Sequence, residues 1–172
     1  MWVLRVGRKA RWELDRDASD PNQVAEAAED LRLGFGETGL SVFRIDEEDE
    51  VREVGVRYAL TCRRRPEHLD YILFPEELAT DLGLAVTPTS VAGLHPYLND
   101  RHYEILGLTQ DLRLRLAAAI LGREDRRVGR IRDKALIALG LEVCRRDPAL
   151  REHLKGDWES KLSPSTDPTL GG

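Results

Sequence analysis

Stretches in which apolar and polar residues alternate punctuate the first 106 positions, and an apolar spacing of three to four takes over from Thr109 onward. Alternation sends successive side chains to opposite faces of a strand, whereas the longer spacing lines one face of a helix. Trp2, Leu4 and Val6 alternate with Val3, Arg5 and Gly7. Trp12 and Leu14 resume the pattern after the basic turn Arg8-Lys9-Ala10-Arg11, which predicts an opening β-hairpin. Asp20-Pro21-Asn22-Gln23 then starts a helix over 21–33, with Asp at the cap and Pro where its missing N–H costs nothing. Leu40–Ile45 is apolar on both faces and reads as a central strand.

The segment 51–62 fits two periods. Val54, Val56, Tyr58, Leu60 and Cys62 alternate, while Val51, Val54, Tyr58 and Thr61 mark one side of a helix; Gly55 and the β-branched content favour a strand. A strand over 69–74, a short helix from Pro75-Glu76-Glu77 to Gly83, a strand at 84–86, an irregular loop over 87–98 and a last strand at 102–106 follow. Thr109 caps a helix that Gly122 closes. Val128, Ile131, Ala135, Leu139 and Val143 mark a second helix, and Asp147-Pro148 starts a third carrying Leu150, Leu154 and Trp158. The expected fold is α+β: a mixed or antiparallel sheet with flanking helices over 1–108, a C-terminal helical extension over 109–162 packed on it or on a partner, and a disordered tail, 163–172.

Charge is distributed unevenly. The net charge is −5, but residues 1–112 carry 13 Lys/Arg against 22 Asp/Glu, whereas 113–151 carry 11 against 5. An acidic body beside a basic segment favours packing of one on the other, or an anionic partner for the second. Two cysteines make no disulfide framework, and neither an apolar leader nor an apolar run of membrane-spanning length is visible, so a cytoplasmic protein with free thiols and no membrane association is expected.

Asn99-Asp100-Arg101-His102-Tyr103-Glu104 is the densest group of reactive side chains. On a strand, His102 and Glu104 share a face with Asp100, while Tyr103 and Ile105 turn to the core. With His95 nearby, such a strip suits an acid/base pair in a hydrolase or transferase, but no third ligand at a metal spacing accompanies it, and contact with a partner is the plainer role of Asp100, Arg101, His102 and Glu104. Arg123, Arg126, Arg127, Arg130 and Lys134 form a second constellation. On a helix Arg126, Arg130 and Lys134 would make a positive stripe able to track phosphates, although Glu124, Asp125 and Asp133 interrupt it and no aromatic residue interleaves it. Neither a phosphate loop nor a cofactor motif is present. Glu159-Ser160-Lys161 and the terminal Gly171-Gly172 are too short to carry a function.

The segments Gly39-Leu40-Ser41-Val42-Phe43, Leu69-Asp70-Tyr71-Ile72-Leu73-Phe74-Pro75-Glu76-Glu77-Leu78 and Asn99-Asp100-Arg101-His102-Tyr103-Glu104-Ile105-Leu106-Gly107-Leu108 resemble a group of small uncharacterised bacterial proteins. The resemblance spans about residues 20–121 and implies a shared fold without an activity to transfer. The expected role is therefore that of a non-enzymatic accessory or regulatory module of a bacterial system, in defence or signalling. It would act through protein contact at 95–104 and the basic helices, with oligomeric state left open. Nucleic-acid binding by 123–134 and a His/Glu enzyme are the alternatives.

Overall fold

A computed structural model describes residues 1–34, 37–47 and 49–163. The tail 164–172, with Gly171-Gly172, lies outside them. Six strands form one open antiparallel sheet in the order β4-β5-β2-β1-β3-β6, comprising β1 (Trp2–Val6), β2 (Gly39–Ile45), β3 (Leu69–Pro75), β4 (Ala85–Pro88), β5 (His102–Leu106) and β6 (Arg127–Ile131). Helices cover both faces. On one side α1 (Pro21–Ala28), α3 (Glu77–Thr80) and α5 (Gln110–Leu121) enclose Val3, Leu40, Val42, Ile72, Phe74 and Ile105. On the other, α2 (Glu50–Cys62), α4 (Pro96–Asn99), α6 (Asp133–Arg146) and α7 (Trp158–Leu162) enclose Leu4, Phe43, Ile45, Leu69, Leu73 and Ile131. The α+β architecture thus matches the pattern of the sequence.

The segment 51–62 is a helix, not the expected strand, and topology explains why. β2 and β3 both run antiparallel to β1 from its two sides, so they point the same way, and joining them requires a crossover. α2 supplies it, pressed between the sheet and α6. Val51, Val54, Val56, Ala59 and Leu60 are all buried, so burial nearly all round the helix erases the one-sided stripe and leaves a misleading alternation.

The opening hairpin is also absent. β1 pairs with β2 and β3 instead, and the chain turns through a 3-10 segment at Lys9–Arg11. Trp12 then enters the core with its Nε1 donating to Asp30 at 2.9 Å, and Leu14 points to solvent. Asp20 caps α1 by accepting from the Asn22 N–H at 2.9 Å, but α1 proper ends at Ala28 and tightens into a 3-10 turn over Glu29–Leu31.

The segment 109–162 packs on the sheet, and it is not wholly helical. Thr109 caps α5 by accepting from Leu112 N–H at 3.2 Å, after which Arg127–Ile131 returns as a strand beside β3. Val128 and Ile131 therefore belong to β6, and the face of α6 that meets the core is Leu136, Gly140, Val143 and Cys144, with Ala135 exposed. A 3-10 segment (Pro148–His153) and the short α7 replace the expected third helix, still burying Leu150, Trp158 and Leu162. Cys62 and Cys144 are free thiols.

Candidate functional site

β5 begins as expected at His102, but the polar residues around it separate. The loop before it contains α4, which starts at His95: the Tyr97 N–H donates to His95 Nδ1 at 3.3 Å. Asn99 ties the preceding loop by accepting from Val91 N–H at 2.9 Å and donating to the Val91 and Leu94 carbonyls. Asp100 is exposed in the turn after α4 and so does not join the strand. Arg101 turns towards α2, donating to Glu50 at 2.8 Å with its guanidinium 4.1 Å from the Tyr97 ring centroid. The Arg101 hydrogen bond holds the Glu50 carboxyl below its usual value.

His102 is buried against Phe43, and its Nδ1 lies 2.8 Å from the Thr89 hydroxyl. Burial lowers its pKa, with Thr89 and Glu104 opposing. His102 is thus seated in the core beside Phe43 and Thr89, and its ring also lines a cleft shared with Arg5, Ser41 and Tyr58. Glu104 remains half-buried on the same side of β5, while Ile105 and Tyr103 face the α1/α5 core as expected; the Tyr103 hydroxyl accepts from Arg44 at 3.0 Å.

A polar network that the sequence did not disclose joins α2, α4 and the end of α6. Buried Arg57 donates to Glu53 at 2.7 Å and to Asp147 at 2.6 Å, with its guanidinium 4.4 Å from the Tyr97 ring centroid. Arg146 reaches the same Glu53 at 2.7 Å. His95 Nε2 lies 3.4 Å from Asp147, and its ring meets His153 edge-on at 5.1 Å. Burial lowers the His95 pKa, reinforced by Arg57 and opposed by Asp147. Every charged side chain here is matched within the network, so it ties helices together and supplies no unengaged acid/base pair. Its visible trace in the sequence is Arg57, a single charge inside the apolar run Val54–Leu60.

The basic constellation is taken apart in the same way. The stripe of Arg126, Arg130 and Lys134 does not form, because β6 occupies the place of the expected helix. Arg126 is buried and donates to the carbonyls of Trp12, Glu13, Leu121 and Arg123. Arg123 is paired with Asp125 at 2.8 Å, and Lys134 is exposed in the first turn of α6. Arg127 lies over the Trp2 ring at 5.5 Å, and Arg130 pairs with Asp70 at 2.6 Å.

What this rearrangement creates is an edge. β6 pairs with β3 on one side, and no described residue pairs with its other side. A groove flanks it on each face of the sheet. One, about 710 Å³, is lined by Lys9, Glu67, His68, Val128, Arg130, Arg132 and Asp133. The other, about 590 Å³, lies between β6 and the start of α2 and is lined by Arg52, Tyr71, Leu73, Arg127 and Asp49. Tyr71, which lines the second, lies across Gly129, where any Cβ would collide with the ring.

Among the described residues no group of three or more His, Cys, Asp or Glu is placed to hold a metal ion, and no helix is long and apolar enough to cross a membrane. The class defined by these features is an α+β protein with an open antiparallel sheet whose β6 edge is paired by no described residue. No family model matches the chain, nor does any curated protein or solved structure.

Proposed function

We propose that this chain is a non-catalytic protein-interaction module that accepts an extended, acidic segment of a partner protein along β6. The observation that carries this reading is the open edge of Arg127–Ile131 with a groove on each face. An added strand would take its main-chain hydrogen bonds from β6 and drop alternate side chains into the two grooves.

The opposite edge of the sheet is a poorer acceptor: β4 is four residues long and ends in Pro88, which has no N–H to offer. Charge selects the occupant. In a chain of net charge −5, β6 and the residue after it carry Arg127, Arg130 and Arg132, of which Arg130 is paired with Asp70, Arg127 lies over Trp2 and Arg132 is exposed. Two copies pairing through this edge would set arginines against arginines, whereas glutamates or aspartates on an incoming strand would meet them favourably. His95, Arg101 and His102 are tied into α2 and the core, leaving Asp100 exposed and Glu104 half-buried, and this favours β6 over that loop as the contact surface in this reading.

The test is binding of a synthetic peptide alternating glutamate and valine, with a lysine–valine peptide and duplex DNA as controls. The expected result is saturable binding of the acidic peptide alone, weakened at least tenfold by the double substitution Arg127→Glu/Arg132→Glu and by raised salt. Equal binding of both peptides, or DNA binding with the same residue dependence, would overturn the reading.

A further inference from the structure

A separate cleft opens where β1 and β2 part. Their ladder holds only from Trp2↔Ile45 to Leu4↔Phe43, although β2 continues back to Gly39. Arg5 fills the divergence. Its Nη1 donates to the Ser41 carbonyl at 2.8 Å, on the part of β2 that β1 no longer pairs, and its Nε to the Asp30 carbonyl of the turn after α1 at 3.2 Å.

Three polar groups around this opening are not hydrogen-bonded by any described residue. Arg5 makes no salt bridge within 4.0 Å to any described carboxylate, and its Nη2, the Tyr58 hydroxyl and the Ser41 hydroxyl make no hydrogen bond to a described residue. All three residues line one cleft of about 360 Å³, whose apolar wall is Phe43, Val91 and Leu94. A guanidinium held by carbonyls keeps a donor for whatever enters, the negative charges of Asp30 and Glu37 acting on it from a distance, and a mixed cleft of this size suits a small molecule.

We infer that this cleft binds a small organic monocarboxylate with a short apolar chain. The carboxylate receives hydrogen bonds from Arg5 Nη2 and from the Ser41 and Tyr58 hydroxyls, and the chain lies against Phe43, Val91 and Leu94. Glu37 also lines the cleft, with one carboxylate oxygen accepting from the Gly34 N–H at 2.7 Å. Its negative charge disfavours a phosphate or dicarboxylate, which carries more charge than Arg5 can offset. This site is independent of β6 and stands or falls without it.

The experiment is a calorimetric titration of the full chain with hexanoate, hexanol and inorganic phosphate, together with the rate at which iodoacetamide alkylates Cys62, the exposed thiol that lines the same cleft. Saturable hexanoate binding is expected, at least tenfold tighter than hexanol or phosphate, with slowed Cys62 alkylation. Arg5→Met should abolish it. Because Arg5 also closes the sheet, Val91→Trp provides a second variant at an exposed position on the mouth; it should weaken hexanoate at least tenfold with an unchanged melting temperature. Absence of saturable hexanoate binding, equal affinity for hexanol or phosphate, or indifference to Val91→Trp in a folded variant would overturn the assignment.

Discussion

Arg130 and Asp70 face each other directly across the β3–β6 ladder, and the arginine grips both carboxylate oxygens, at 2.6 and 2.8 Å. The same carboxylate accepts the Lys9 N–H at 3.0 Å, so one side chain fastens the edge strand and the turn after β1. Burial pushes the Asp70 carboxyl up, but the hydrogen bonds from Arg130 and Lys9 outweigh it and the net shift is down.

A lowered carboxyl pKa stabilises the fold fully above the unfolded value of about 3.9, and the contribution is lost as pH falls through the folded value. Asp70→Asn should therefore flatten the acid limb of the stability profile, measured as urea midpoints between pH 6 and pH 2.5. At neutral pH Asp70→Ala should cost about 1–3 kcal/mol, since it strips the Lys9 N–H of its acceptor.

Arg126 should behave as a structural residue. Its guanidinium serves four backbone carbonyls from two separated stretches of chain, joining the turn before β6 to Trp12 and Glu13. Arg126→Leu should lower stability by about 2–3 kcal/mol in chemical denaturation, because those buried acceptors lose their donor.

His95 and His102 set a second pH dependence. Burial depresses both, so each takes up a proton at lower pH when folded than in the unfolded chain, which does so near pH 6.5. Their contribution is complete above that pH and declines as pH falls towards the folded values. His102→Gln should reduce the loss of stability between pH 7.5 and pH 5.5 relative to the parent chain, read from denaturation midpoints at the two pH values.

Gly129→Val should disturb the edge. The new side chain would occupy the space of the Tyr71 ring, so β6 can stay on β3 only if Tyr71 moves. A lower melting temperature together with faster amide exchange over 127–131 is expected, measured by hydrogen-exchange mass spectrometry.

The elements legible in the sequence were those whose local signals agree with their surroundings. The caps Asp20 and Thr109 and the two-faced apolar strand β2 are of this kind. α2 was not, because its period is hidden by burial on nearly every side, and the crossover that demands a helix is a property of strand order. β6 was hidden for the opposite reason: its one buried residue, Ile131, and half-buried Val128 fall at a helical spacing with the residues that follow. That misreading also drew the arginines into a stripe they do not form. At 95–104 the sequence disclosed the chemical groups, but their partners Arg57, Glu50 and Thr89 come from other elements, which no local pattern reveals.

The most direct test of the β6 edge is amide hydrogen exchange across the chain with and without the glutamate–valine peptide. Protection concentrated at 127–131, lost in Arg127→Glu/Arg132→Glu, is the expected result. Unchanged exchange at 127–131 under saturating peptide, or protection centred on 95–104 instead, would contradict it.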